Sequence, residues 1–218
     1  MTAPPNFNRL ARAYRWMEYL SFGPLLQRCR CHFLPRLAAA ELRTALVLGD
    51  GDGRFTARLL AASPGIHVDA VDASTAMLRQ LESRTLGLSV TTHCADARLW
   101  HPDRTGYDLV ATHFFLDCLT TTEVAALVQR LTPATAENAH WLVSEFAQPT
   151  TAFGRLVAAP LVALLYKAFR GLTGLEPQTL PQHRLALSQA GWRLEADRPR
   201  LFGMLVSELW RRDHRLAR

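Results

Sequence analysis

The chain has 218 residues, 49% of them hydrophobic and 20% charged, with a formal net charge of +6; this suits one globular domain with a full core. Its 25 basic residues are spread as singles and pairs rather than drawn into a stripe, so nucleic acid is not an expected partner. Cys29, Cys31, Cys94 and Cys118 lack the spacing of a disulfide framework or of paired metal knuckles, no signal pattern opens the chain, and the longest apolar run, Leu156 to Tyr166, is interrupted by Pro160; the expectation is a reduced, cytoplasmic protein without a metal site.

In chain order, residues 6–40 carry helical apolar spacing through Leu10, Tyr14, Met17, Leu20, Leu25, Leu26, Phe33 and Leu37, broken at Ser21-Phe22-Gly23-Pro24. An alternation then begins. Thr44–Leu48 reads as a buried strand, Arg54–Ala62 as a helix, Ile66–Val71 as a strand and Ser74–Arg84 as a helix. Leu88–Cys94, Tyr107–Thr112 and His140–Phe146 read as further strands, with Thr122–Leu131 a helix before the last. Short apolar strands alternating with helices predict βαβ units and a parallel sheet covered on both faces. The final third differs: a long apolar helical stretch, Ala152–Leu172, then a helix at Pro181–Ala190, then strands Trp192–Arg198 and Leu201–Trp210 as a closing hairpin.

The segment Ala45-Leu46-Val47-Leu48-Gly49-Asp50-Gly51-Asp52-Gly53-Arg54 places three glycines where a strand hands over to a helix. Glycines there permit a tight turn and let backbone amides approach a ligand. A dinucleotide fingerprint requires glycine at the position of Arg54, and a phosphate P-loop requires a following Gly-Lys-Ser/Thr; neither is present. Asp50 and Asp52 beside a pyrophosphate would repel it, whereas S-adenosylmethionine brings a sulfonium and an ammonium. The residues therefore favour the sulfonium cofactor.

Two further acids follow in order. Asp72 ends the second strand about twenty residues downstream, where a carboxylate in such sheets accepts from both ribose hydroxyls, and Ala73 follows it. Asp96, with Ala97 after it, lies past the third strand and is placed to accept from the adenine amine, while Met77 lies one turn into a helix beside the base. An acid at a strand end also serves as a helix cap or turn residue; three in succession point to a nucleoside.

With these marks in place the chain resembles the class I S-adenosylmethionine-dependent methyltransferases, from about Asn6 to Arg212. The likeness is carried by LVLGDGDGR, VDASTAML, CADA, YDLVATHFFLDCL and WLVSEF, with AGWRL and LFGMLVSELWR similar to the closing strands. Phe7–Arg28, with Tyr14 and Leu20-Ser21-Phe22-Gly23, is similar to the cap of the ubiquinone/menaquinone C-methyltransferase group. The resemblance implies a three-layer Rossmann-like α/β sheet of seven strands, mostly parallel with an antiparallel last strand. It further implies a helical cap over residues 1–40, a methyltransferase domain over 41–218 and an apolar helical insertion at about 152–180, all in one structural unit. It also implies methyl transfer from S-adenosyl-L-methionine, leaving S-adenosyl-L-homocysteine. The family usually has an acid at the position of Val47; here Asp50 is the candidate to hold the cofactor's ammonium instead.

The implied cofactor contacts are Tyr14, Gly49, Asp50, Gly51, Gly53, Asp72, Ala73, Met77, Asp96, Ala97 and His113. For the acceptor, Asp117 and His113 in THFFLDC are the ionisable candidates. Asp117 is a base, a partner for a cationic acceptor, or a cap for a loop amide; His113 is a base, a contact for the cofactor's methionine end, or a strand-end structural group. Phe114 and Phe115 are candidate pocket walls. The expected acceptor is a small apolar or aromatic molecule, quinone- or lipid-like. The apolar 152–172 stretch, rimmed by Arg155, Lys167 and Arg170, is a lid, a peripheral membrane contact or a homodimer face. A catalytically silent cofactor-binding scaffold of the same fold is the competing reading.

Overall fold

The computed structural model describes residues 24–147 and 180–213. Tyr14, the start of the cap and nearly all of the 152–180 insertion, with Arg155, Lys167 and Arg170, lie outside the described residues.

Two short helices come first, α1 (Pro24–Arg30) and α2 (Leu34–Ala38). A single helix was expected here. Pro35, in the first turn of α2, has no N–H to continue a ladder from α1, so the chain turns through Cys31–Phe33 and starts again. Then follow β1 (Thr44–Leu48), α3 (Arg54–Ala62), β2 (His67–Asp72), α4 (Thr75–Arg84), β3 (Val90–Cys94) and β4 (Tyr107–His113). After these come α5 (Thr121–Leu131), β5 (Thr135–Phe146), α6 (His183–Gln189), β6 (Trp192–Arg200) and β7 (Leu205–Arg212).

The seven strands form one sheet in the order β3-β2-β1-β4-β5-β7-β6. Strands β1 to β5 pair in parallel, and β7 lies antiparallel between β5 and β6. Strand order therefore reverses between β1 and β4, the point where such sheets open a crevice beyond their carboxyl ends.

Alternation along the strands assigns the two faces. Leu46, Leu48, Val71, Val110, Trp141 and Val143 pack with Val124, Leu127, Val128 and Leu131 of α5. Val47, Val68, Leu109, Ala111 and Leu142 pack on the other face with Phe55 and Leu59 of α3 and Leu37 of α2. Trp141 and Trp192 meet edge to face at 5.3 Å. α5 starts on a capping box in which Thr120 and Glu123 satisfy each other's backbone amides.

Several boundaries shift by one or two residues, and two shift further. β5 begins at Thr135, five residues before His140, with a bulge opposite Tyr107–Leu109. β7 begins at Leu205 rather than Leu201, because Leu201 and Phe202 take left-handed backbone (φ 49° and 55°) and cannot extend.

Candidate active site

The carboxyl ends of β1 to β5 bring the sequence-selected residues to one edge. Gly49–Gly53 leaves β1, Asp72 ends β2, Asp96 follows β3, and His113 ends β4 before a one-turn 3₁₀ helix at Leu116–Cys118. The Leu201–Gly203 turn joins this edge, since Leu205 at the start of β7 pairs with Phe146 at the end of β5.

The glycines differ in what they make possible. All three have positive φ. A Cβ on Gly49 would lie 2.8 Å from the Phe115 ring, and one on Gly53 would lie 2.8 Å from the Leu81 backbone, so these two allow close packing. A Cβ on Gly51 would meet nothing within 4 Å. Gly51 therefore fronts an open cradle, with the Asp72 carboxylate close enough for its amide to act on.

Asp50 is buried, and both its oxygens are used by the start of α3. Oδ1 accepts from the Phe55 amide at 3.3 Å; Oδ2 accepts from the Thr56 amide at 2.8 Å and its hydroxyl at 2.7 Å. Burial raises its pKa, while the Thr56 donors and Arg30 oppose the rise. The helix N-terminus, the usual seat for a phosphate, is thus filled by the chain's own carboxylate. Asp52 faces Arg54 at 2.9 Å and Arg84 at 3.0 Å. The segment turns away from pyrophosphate chiefly because the amides at the start of α3 are already taken, a more specific cause than charge repulsion. Val47 is core on the α3 face, packed with Phe55 and Leu59.

Asp72 is half-buried and accepts from the Ser74 amide at 2.8 Å. Burial pushes its pKa up to about 6, with the Asp50 charge adding to the rise and the Ser74 and Gly51 amides opposing it. Ser74 caps α4 by accepting from the Met77 amide, which holds the buried Met77 next to this strand end; Ala73 between them is exposed. Asp96 is gripped by Arg98 through both oxygens at 2.7 to 3.0 Å, and the guanidinium holds its pKa below the usual carboxylate range. Ala97 beneath it is buried.

His113 is enclosed at 1% exposure, its ring edge-on to Phe55 at 4.2 Å, and neither ring nitrogen has a hydrogen-bond partner among the described residues. Burial, with Arg30 nearby, drives its pKa well down, so the ring is neutral. Asp117 lies in the 3₁₀ turn, half-exposed, with the Cys118 thiol donating to its Oδ1 at 3.6 Å.

Two residues not singled out in the sequence also reach this edge. Arg30 of α1 is 3% exposed; its guanidinium carbon lies 5.3 Å over the Phe114 ring and its charge acts on Asp50 and His113. Glu145, near the end of β5, is 2% exposed and accepts from the Phe115 and Leu116 amides at 3.0 and 2.8 Å. An acid just after the apolar run Trp141–Val143 was the available signal for Glu145. Arg30 sat in a run of basic residues with nothing to separate it.

This fold, with its glycine cradle at the strand switch and an acid on the next strand end, is that of a class I S-adenosylmethionine-dependent methyltransferase domain. Residues 45–138 match the family described as Methyltransferase domain. The chain is similar to trans-aconitate 2-methyltransferase of Methylobacterium radiotolerans, 32% identical over 144 residues, which cover 65% of this chain and 54% of that protein. The chain thus matches about half the length of that relative. In fold it is similar to the apo S-adenosylmethionine-dependent methyltransferase SibL (TM-score 0.69, 20% identity, 98% of this chain and 64% of that one). It is likewise similar to magnesium protoporphyrin IX methyltransferase of Synechocystis with bound S-adenosylhomocysteine (TM-score 0.68, 19% identity, 95% and 96%). Among the described residues no helix is long and apolar enough to cross a membrane, and no cluster of three metal-ligating side chains occurs.

Proposed function

We propose that the chain transfers the methyl group of S-adenosylmethionine to a small apolar or aromatic acceptor. The open space at Gly51, bordered by the Asp72 carboxylate, carries this reading: it is a backbone cradle beside an acid that no arginine neutralises among the described ion pairs. Asp72 is assigned to the ribose hydroxyls, Met77 and Asp96 to the adenine, and the Gly49–Gly53 backbone to the methionine portion. Arg30 is assigned to the cofactor's carboxylate. Asp50 acts by fixing the loop on α3.

The bound cofactor supplies an electrophilic methyl carbon on a sulfonium. The chain's part is to align the acceptor and exclude water. His113, neutral and sealed against Phe55, is assigned to the wall behind the cofactor's methionine end. Asp117 is assigned as the proton acceptor for a phenol or carbon-acid substrate, the cases that need a base. An apolar acceptor is supported by Phe114, Phe146 and Leu201, which pack together with α1 at this edge, and by Phe202, 59% exposed on the adjoining turn. The half-sites differ in character, with acids toward the cofactor and aromatic groups away from it. Incubating the protein with labelled S-adenosylmethionine and a panel of phenols, quinols and fatty acids tests the reading; methylated product from an apolar acceptor supports it, and turnover confined to polycarboxylates overturns the acceptor assignment.

A further inference from the structure

Glu145 is a buried acid without an ion-pair partner among the described residues. Its Oε1 takes two backbone amides of the turn after β4, and its Oε2 is buried with no hydrogen-bond partner there. A bare carboxylate oxygen out of water is costly unless the group is neutral. The groups that act on it most strongly are Asp117 and the turn's amides, with no cation among them. Asp117 and Cys118 face it from the 3₁₀ turn and Cys29 from α1, while its β7 register partner is Val206. Arg30 acts on Asp50 and His113, and Arg200 on Cys29. Burial, reinforced by Asp117, raises the Glu145 pKa well above the ordinary glutamate range, with the Leu116, Phe115 and Asp117 amides opposing the rise. The same turn carries Phe115, whose ring would lie 2.8 Å from a Cβ on Gly49, so the turn and the glycine loop are in direct contact.

We propose that Glu145 is a positioning residue that, in its protonated form, clamps the Phe115–Cys118 turn and thereby holds both Asp117 and the cofactor cradle in place. As a neutral acid its carbonyl oxygen accepts both amides through two lone pairs. Loss of the proton strengthens each amide bond, but it leaves a charged Oε2 out of water and a second negative charge beside Asp117; burial and repulsion outweigh the stronger bonds, and the turn loosens. The link to the cradle rests on the methyltransferase reading; the clamp on the turn does not.

The test is amide hydrogen exchange at Phe115 and Leu116 in the ligand-free full chain, from neutral to alkaline pH, for wild type, Glu145→Gln and Glu145→Ala. The amide of Glu145→Gln keeps a carbonyl oxygen for the clamp and cannot ionise. Expected are protection in wild type that falls on the alkaline side, protection in Glu145→Gln that does not fall, and about tenfold lower protection in Glu145→Ala. Identical pH profiles for wild type and Glu145→Gln overturn the proposal, and this comparison holds even where Glu145→Ala fails to fold. S-adenosylhomocysteine titration of the same proteins separates the two readings. Binding by wild type with affinity about tenfold weaker in Glu145→Ala and restored in Glu145→Gln supports the link. Equal binding by all three overturns the link. Absence of binding to wild type overturns the methyltransferase reading, while the exchange data still decide the clamp.

Discussion

Asp50 binds Thr56 twice, its Oδ2 accepting from the amide at 2.8 Å and from the hydroxyl at 2.7 Å. This pair seals the N-terminus of α3 from within, so the glycine loop presents its backbone to a ligand without presenting a helix end. Removing the cap in Asp50→Ala should cost about 1 to 2 kcal/mol of stability. Asp50→Asn keeps one acceptor oxygen and should cost less. Chemical denaturation measures both; equal and negligible losses would contradict the capping role.

Gly51 and Gly53 should separate binding from stability. An alanine at either meets left-handed backbone, at roughly 1 to 2 kcal/mol. At Gly53 it also collides with Leu81, so Gly53→Ala should lower the melting temperature much further than Gly51→Ala. At Gly51 the new methyl stands in the cradle, so Gly51→Ala should lose at least about tenfold in S-adenosylhomocysteine affinity. Unchanged affinity in Gly51→Ala would place the ligand elsewhere.

Asp72 gives the site a pH dependence. Its pKa is raised from 3.8 to about 6, so its contribution to the free protein's stability is present below the ordinary value and lost as pH rises through about 6. Ligand binding runs the other way, because two hydroxyls donate best to an ionised carboxylate. The gain in melting temperature given by S-adenosylhomocysteine should therefore grow as pH rises across about 6 and be flat in Asp72→Asn. A thermal-shift series over that range checks the sign.

Glu145 predicts a separate effect on stability. Its folded pKa lies well above the ordinary glutamate value. The stability it contributes is complete below that value and declines as pH rises toward the folded pKa. Glu145→Gln should remove this part of the decline, so the melting temperatures of wild type and variant should diverge toward alkaline pH, with wild type the lower.

Asp117 is the residue on which acceptor chemistry turns. With a phenolic or carbon-acid acceptor, Asp117→Asn should lower kcat by roughly 10² to 10⁴ while leaving S-adenosylhomocysteine affinity unchanged. An equal loss in both would make Asp117 a cofactor contact rather than a base.

The centre of the sheet was legible because β1 and β4 are short, largely apolar runs buried on both faces, whereas β3 and β6 at its edges are partly exposed. Asp72 and the glycines were legible because their positions follow from where strands end. The neutralisation of Asp52 by Arg84 and of Asp96 by Arg98 depends on which side chains the fold and its turns bring together, and spacing does not encode that. Glu145 was hidden for a related reason: its partners, the amides of Phe115 and Leu116, lie about thirty residues away and carry no side-chain signature. The left-handed pair Leu201-Phe202 was read as strand because both residues are ordinarily strand-compatible; only the turn geometry reverses that.

The most direct measurement is calorimetric titration of S-adenosylmethionine and S-adenosylhomocysteine into the full chain at pH above 6, beside Gly51→Ala and Asp72→Asn. The account predicts one-to-one binding of both ligands to wild type and at least about tenfold weaker binding to each variant. Wild-type protein that binds neither ligand, or variants that bind as tightly as wild type, would contradict it.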